Sequence, residues 1–430
     1  MFGPTLSRLG KHNGLNAINL FKYTAKVLPV QNAPGRRIPR THLCMLSATS
    51  RRYRRVIFVV VLIASLLGVE SAFSVPGGSE IRLPMNPTRS GCVVPLYIGS
   101  AGPFPFLVDA GIRFPVLSDT TQAAQALPLL PADDPSPQAV PVSRVHVELS
   151  PAPQAPLYVG AALVADINGL SERCGTPLSG VLPIHQPGLE VTLDYPNKVA
   201  VWRPLGQGLL SASRASALTL RIESDGQPRL RAKINDAELR WLAVDLSFGG
   251  TLALHEDTLR KVCTLESTPT METVFLQKSP IKEVRLSSLQ IGDLTVRTPL
   301  CTLIPNEQPE ALGVALWKHT ALTLNFEQGI ARVDSPGPIL TEPALSGCGL
   351  VLDTFQDASW RVGVVRGSPA ERAGAQPGDI LVSVNGIPTA SLPLDTLSSL
   401  LCGEAGSILS VTISRAGREL TATLIAETLL

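Results

Sequence analysis

Metal-ligand spacing is missing from this sequence: it holds no CxxC, and His185, His255 and His319 stand far apart. Those histidines therefore read as structural or surface residues, and neither a metal nor another cofactor is expected. Long apolar runs are missing too; the run VIFVVVLIASLLGV, Val56–Val69, has 14 residues, which is short for a membrane span. Acidic residues are almost absent from residues 1–74, where 11 Lys and Arg face Glu70 alone. The remainder carries 26 basic and 34 acidic side chains, a balance of −8. The net charge of +2 thus belongs to the N-terminal stretch, and the rest is a poor nucleic-acid surface. Charged residues make up 17% of the chain and hydrophobic ones 44%, which suits packed cores rather than a disordered chain. At 430 residues there is room for two or three domains.

What is present begins with RRYRR, Arg51–Arg55, directly before that apolar run, and the small residues Ala72 and Ser74 after it. Basic flank, short apolar stretch and small-residue site describe a secretory signal, cleaved after Ser74 or, nearly as well, after Ala72. A start at Met45 gives such a signal its ordinary length, with residues 1–44 either untranslated or a targeting extension. The expectation is passage across an inner membrane into the periplasm. The other reading retains the segment as a single-helix anchor with the folded part exported, the one route by which this chain meets a membrane.

An oxidising compartment permits disulfides, and six of the seven cysteines follow the signal. Cys92–Cys174, Cys263–Cys301 and Cys348–Cys402 are the sequential pairings, two cysteines to each expected domain; other pairings and buried thiols stay open.

From Gly91 onward, short β-branched runs are broken by Pro and Gly, and few stretches are long enough for a helix beyond three turns. The fold is therefore expected to be mainly β. DDPSPQAVP (133–141) and DSPGP (334–338) mark loops or boundaries, the first suited to a mobile covering hairpin. The chain then repeats itself. FLVDAGIRFPVLS around Asp109 has a counterpart in LAVDLSFGGTLAL around Asp245, 136 residues later. Gly180 and Gly313 are 133 apart, and Tyr195 and Phe326 are 131 apart. Two similar lobes follow, each with one aspartate after an apolar strand. An aspartate there can simply cap a turn. Two such lobes face to face bring the carboxylates together instead. One then holds a proton while the other activates water for attack on an amide carbonyl.

On those residues the lobes resemble aspartyl proteases of the retropepsin-like and pepsin-like class, over roughly residues 90–335. The resemblance implies two related β-barrel lobes, a catalytic pair Asp109 and Asp245, and protein as substrate. Asp109 and Gly111 match the family's Asp-Thr/Ser-Gly triplet, as does Asp245, supported by Gly250, Thr251 and the segments around Gly180 and Gly313. The departures lie in the same loops. Ala110 and Leu246 offer no hydroxyl to lock the paired loops, Ser247 replaces the second triplet glycine, and Leu182-Pro183 stands where Leu-Gly is usual. Catalytic positioning tolerates little displacement, so lost or much reduced proteolysis is expected.

Beyond DSPGP comes SGCGLVLDTFQDASWRVGVVRGSPAERAGAQPGDILVSVNGIP, Ser346–Pro388. VGVV and ILVSV predict strands, and Ser368-Pro369 predicts the start of a short helix that stops near Gly374. Leu392–Cys402 suits a second helix. This pattern resembles a PDZ domain of the bacterial, protease-associated type, a small β-barrel with two helices, over about residues 345–425. The resemblance makes Gly347, Cys348, Gly349 and Leu350 the loop that receives a terminal carboxylate, with Leu394 and Leu397 either lining the side-chain pocket or sitting in the core.

The expected organisation is an extension and signal over 1–74, a first lobe over 75–210, a second over 211–337 and the PDZ domain over 338–430. Functionally, the chain reads as an exported binder of peptide or protein C-termini built on a degenerate protease pair. The alternative is a working aspartic endopeptidase.

Overall fold

The computed structural model describes residues 80–430, without 89, 122–126, 128–142, 153–155, 187, 208–216, 225, 265–266, 277 and 357–358, together with the strand Ala72–Phe73. The signal segment and the 133–141 stretch lie outside the described residues, except that Ala72 and Phe73 pair with Val159 and Tyr158. No helix among the described residues is long and apolar enough to cross a membrane.

The chain is mainly β, as its short β-branched runs require. In the first half, β1 spans Ile81–Pro84, β2 Gly91–Ile98, β3 Ala101–Asp109, β4 Val116–Ser118 and β5 Tyr158–Ala165. Helix α1 (Asn168–Cys174) follows, then β6 (Gly180–Pro183), β7 (Leu189–Asp194) and β8 (Val199–Pro204). Strand β3 runs parallel to β6, with Asp109 opposite Pro183. On its other side β6 is antiparallel to β4, and β4 runs parallel to β5.

The second half repeats this pattern. Its strands are β9 (Leu218–Ile222), β10 (Pro228–Ile234), β11 (Arg240–Val244), β12 (Leu252–Leu254), β13 (Thr270–Val274), β14 (Ile281–Arg285), β15 (Leu300–Leu303), β16 (Ala311–Leu312), β17 (Ala321–Asn325) and β18 (Ile330–Asp334). Strand β11 runs parallel to β16, β16 is antiparallel to β12, and β12 runs parallel to β15. In each half a glycine lets the inserted strand approach. A Cβ on Gly180 would lie 2.4 Å from the Phe106 ring and 2.6 Å from the Val116 carbonyl oxygen, and one on Gly313 would lie 2.2 Å from the Gly250 carbonyl oxygen. No side chain fits at either point.

The halves share one sheet, ordered β1-β8-β7-β17-β18-β9. At its centre Val191, Thr192, Leu193 and Asp194 face Leu324, Thr323, Leu322 and Ala321. One continuous core, with Trp202 and Trp317 fully buried, runs through both halves. Burying such rings removes a large apolar area from water at about 25 cal/mol per Å².

The C-terminal module has its own core around Leu350, Val362, Leu381, Leu397 and Val411. Its elements are β19 (Leu350–Gln356), β20 (Ser359–Val365), α2 (Pro369–Arg372), β21 (Ile380–Val384), α3 (Leu394–Leu401), β22 (Ile408–Arg415) and β23 (Arg418–Ile425). Helix α2 starts as its sequence dictates: the Ser368 hydroxyl accepts the Glu371 N–H at 3.3 Å and Pro369 takes the first helical position. Residues 339–341, beyond DSPGP, pair in parallel with Leu294–Arg297 of the second half.

The second half also grips this module. Thr273 and Val274 of β13 pair antiparallel with Val365 and Val364 of β20, extending one sheet into the next. The Arg366 N–H donates to the Glu272 carbonyl at 2.9 Å, and their side chains form an ion pair at 3.1 Å. Phe275 and Leu276, at the turn between β13 and β14, lie over Gly363 and Gly378, where added Cβ atoms would both stand 2.5 Å from those side chains. Lys278 from the same turn pairs with Asp353 in β19, at the point where the β19–β20 register shifts.

Candidate functional site

The turn after β3 carries Asp109, and the turn after β11 carries Asp245, at equivalent places in the two halves. Both are half-buried. Oδ1 of Asp109 accepts the Gly111 N–H at 2.6 Å, and Oδ1 of Asp245 accepts the Ser247 N–H at 2.9 Å. Each aspartate thus caps its own turn, the role a short carboxylate takes at a strand end. Ser247 does not swing out across the turn: its hydroxyl donates to the same Asp245 oxygen at 2.8 Å.

Ala110 and Leu246 are both buried, at 1% and 0% exposure, so the positions between aspartate and third residue are filled with hydrocarbon. The second loop meets the first half through its main chain, since a Cβ on Gly91 would stand 2.9 Å from the Leu246 carbonyl oxygen. Gln227, from the turn before β10, lies over Gly111, with its Nε2 3.4 Å from where a Cβ would be. The Arg113 guanidinium lies against Gly226, and its Nε is buried without a hydrogen-bond partner among the described residues. His185 stacks on Phe326 of the other half at 4.5 Å between ring centroids. Burial, and then the Arg113 charge, holds its imidazole below the usual histidine range, so it serves as an uncharged aromatic contact. His255 Nε2 lies 2.7 Å from the Gln308 carbonyl oxygen, again a structural contact. The Thr251 hydroxyl, behind the second loop, donates to Glu342 at 2.8 Å.

At the other end of the chain, the loop Gly347–Leu350 leads into β19. Among the described residues, β19 is paired in register with β20 alone, and α3 packs beside it. Gly347 and Gly349 have φ of 157° and 85°; the latter is left-handed, and a Cβ on it would stand 2.1 Å from Ser368. The Cys348 N–H donates to the Leu401 carbonyl at the end of α3, at 3.1 Å, so one amide of this loop already has an acceptor. Burial pushes the Cys348 thiol up to about 11, against the pull of the Leu350 N–H beside the sulfur and with a further push from Cys402.

Leu397 is fully buried in the module's core. Leu394, about one turn earlier on the helix, is half-buried and touches the first half: a Cβ on Gly175, just past α1, would stand 2.8 Å from its Cδ2. The core position of Leu397 is one of the two readings its sequence left open, whereas the Gly175 contact of Leu394 carries no signal in the helix sequence. The six described cysteines are all thiols, with Cys92, Cys174, Cys301 and Cys348 buried and Cys402 exposed. Each sequential pair is nevertheless close enough for its members to interact electrostatically: Cys174 pushes Cys92 up, Cys263 pushes Cys301 up and Cys402 pushes Cys348 up, each behind the larger effect of burial.

The PDZ domain family matches residues 360–415. The C-terminal module is therefore a PDZ domain, a module that binds peptide and protein C-termini. The match begins within β20, after the Gly347–Leu350 loop. No curated protein matches the chain. Among solved structures the chain is similar to a photosystem II D1 C-terminal processing protease, 31% identical over 20% of this chain and 24% of that one, with a TM-score of 0.19. It thus spans about a quarter of that protein's length. It is also similar to basic 7S globulin from soybean, 12% identical over 60% of this chain and 95% of that one, with a TM-score of 0.36.

Proposed function

We propose that this chain is an exported peptide- or protein-binding protein whose PDZ groove takes a C-terminal carboxylate and whose two aspartate-bearing halves are a degenerate aspartyl-protease pair. The observation that carries the binding role is the edge of β19: it follows the Gly347–Leu350 loop, has β20 on one side, and has α3 alongside. A peptide adding to that edge gains main-chain hydrogen bonds, and its carboxylate meets the loop amide of Gly349, joined by that of Leu350 once it leaves the Cys348 sulfur. Degeneracy is supported by Ala110 and Leu246, buried hydrocarbon where the family carries hydroxyls, and by Ser247, whose hydroxyl is spent on Asp245.

A second reading, an aspartic endopeptidase, is favoured by one observation: both carboxylates stand at equivalent strand ends, each held by its own turn. The two readings separate in one experiment with the full chain. Fluorescein-labelled peptide pools with random cores, ending in a free carboxylate or in an amide, are tested for binding and for cleavage from acidic to neutral pH. The double variant Asp109→Asn, Asp245→Asn serves as control. The binding reading expects the free carboxylate to be preferred by about tenfold, with no cleavage that the double variant abolishes. Equal binding of both pools would remove the carboxylate role. Cleavage by the parent alone would establish the endopeptidase.

A further inference from the structure

We propose that Cys348 and Cys402 form a redox-modification site, in which exchange with a small-molecule disulfide joins their sulfurs and fixes the mouth of the groove shut. The proposal rests on reading the space between β19 and α3 as the peptide groove. Cys348 lies in the loop at the start of β19, and Cys402 directly follows α3, whose C-terminal end it caps by donating its N–H to Ser398 at 3.0 Å. The two backbones are already in contact: the Cys348 N–H reaches Leu401, the neighbour of Cys402, at 3.1 Å, and a Cβ on Gly347 would stand 3.2 Å from the Cys402 Cα. Strand start and helix end are the two walls at which an incoming carboxylate enters. A bridge there holds them at disulfide span, about 4.4–6.8 Å between Cα atoms, when an added strand needs them apart.

One member of the pair is open to exchange and the other lies behind it. Cys402 is exposed while Cys348 is 1% exposed, so an external disulfide meets Cys402 first and Cys348 then resolves the mixed disulfide. Cys92 and Cys174 are both buried and present no such entry. In the overall step the two thiols give up two protons and two electrons and one S–S bond forms. The external disulfide loses its S–S bond and leaves as two thiols.

The test incubates the full chain in glutathione buffers of graded oxidised-to-reduced ratio and maps disulfides by non-reducing peptide mass spectrometry. Hydrogen exchange of residues 346–350 and binding of the carboxylate-ended pool are then read in both states, beside Cys402→Ser. The expected result is a linked Cys348–Cys402 peptide, exchange at 346–350 slowed about fivefold or more, and pool binding weakened about tenfold, all absent in Cys402→Ser. No linked peptide at any ratio overturns the proposal, and so does a linked protein whose loop exchange is unchanged or that binds the pool as tightly as the reduced protein does. A pool bound in neither state, with linkage and slowed exchange present, sinks the peptide-groove reading and leaves the redox site standing. Linkage absent while the pool binds sinks the redox site alone.

Discussion

The hydroxyls of Thr192 and Thr323 meet at 3.1 Å, fully within the protein, and the two residues are directly opposite each other in the antiparallel pair β7–β17. They are also 131 positions apart, the same separation as Tyr195 and Phe326, so each threonine faces its own repeat counterpart. The β7–β17 ladder is symmetric about this pair. A buried hydroxyl that loses its partner costs about 1–3 kcal/mol, whereas replacing both together is far milder. Thr192 Oγ1 also accepts from the Arg203 guanidinium at 3.2 Å, so Thr192→Val, which strips Thr323 of this partner, should lower stability by about 1–2 kcal/mol, Thr323→Val by less, and the double variant by less than the sum, in urea unfolding.

The strand-insertion glycines are sharp steric positions. Gly180→Ala and Gly313→Ala place a methyl 2.2–2.6 Å from main-chain oxygens, and each should cost about 3 kcal/mol or more, the upper end for overpacking. Gly337→Ala, with nothing within 4 Å, should stay within about 0.5 kcal/mol of the parent in the same unfolding experiment.

The grip on the PDZ domain depends on an unequal ion pair. The Asp353 side chain is 5% exposed while Lys278 is 33% exposed. Lys278→Met leaves a nearly buried carboxylate without its cation, a loss of about 1–3 kcal/mol once the exposure of Lys278 is allowed for. Hydrogen exchange at Thr273, Val274, Val364 and Val365 should quicken in this variant, and unchanged exchange would show that the strand pairing holds without the ion pair.

Glu283 gives the pH dependence. Burial raises its pKa above the ordinary 4.5, and the nearby Glu342 charge raises it further, against the Thr302 hydrogen bond and the Arg285 charge. An acid whose folded value is raised keeps more protons folded than unfolded, so its contribution is fully present below the unfolded pKa and is lost as pH rises towards the folded one. Glu283→Gln should therefore be more stable than the parent at neutral pH. The gain should vanish below about pH 4.5 and grow between by no more than about 1.4 kcal/mol per pH unit, seen in melting temperatures across that range.

Much of this architecture was legible because the repeat and the PDZ pattern both rest on local chemistry. The offset between Asp109 and Asp245 anticipated the doubled strand pairings, and Ser368-Pro369 anticipated α2 with its cap. Contacts between distant small residues were not legible. Nothing in the sequence around Gly363 or Gly378 signals that Phe275 and Leu276 will lie on them, because a glycine opened for a neighbour looks like one needed for a turn. The Cys348 N–H bond to Leu401 was hidden for the same reason, as it joins a loop to a helix end 53 residues away. Ser247 was visible as a departure, but its reach back to Asp245 depends on a rotamer, which sequence does not specify.

The pairing of β13 with β20 changes what the peptide link between the modules is for. With Thr273 and Val274 hydrogen-bonded to the neighbouring strand and Arg366 held by Glu272, the covalent connection through Ser335–Gly337 is one tie among several. A protease that nicks there should yield two bands under denaturing electrophoresis and a single particle in native chromatography.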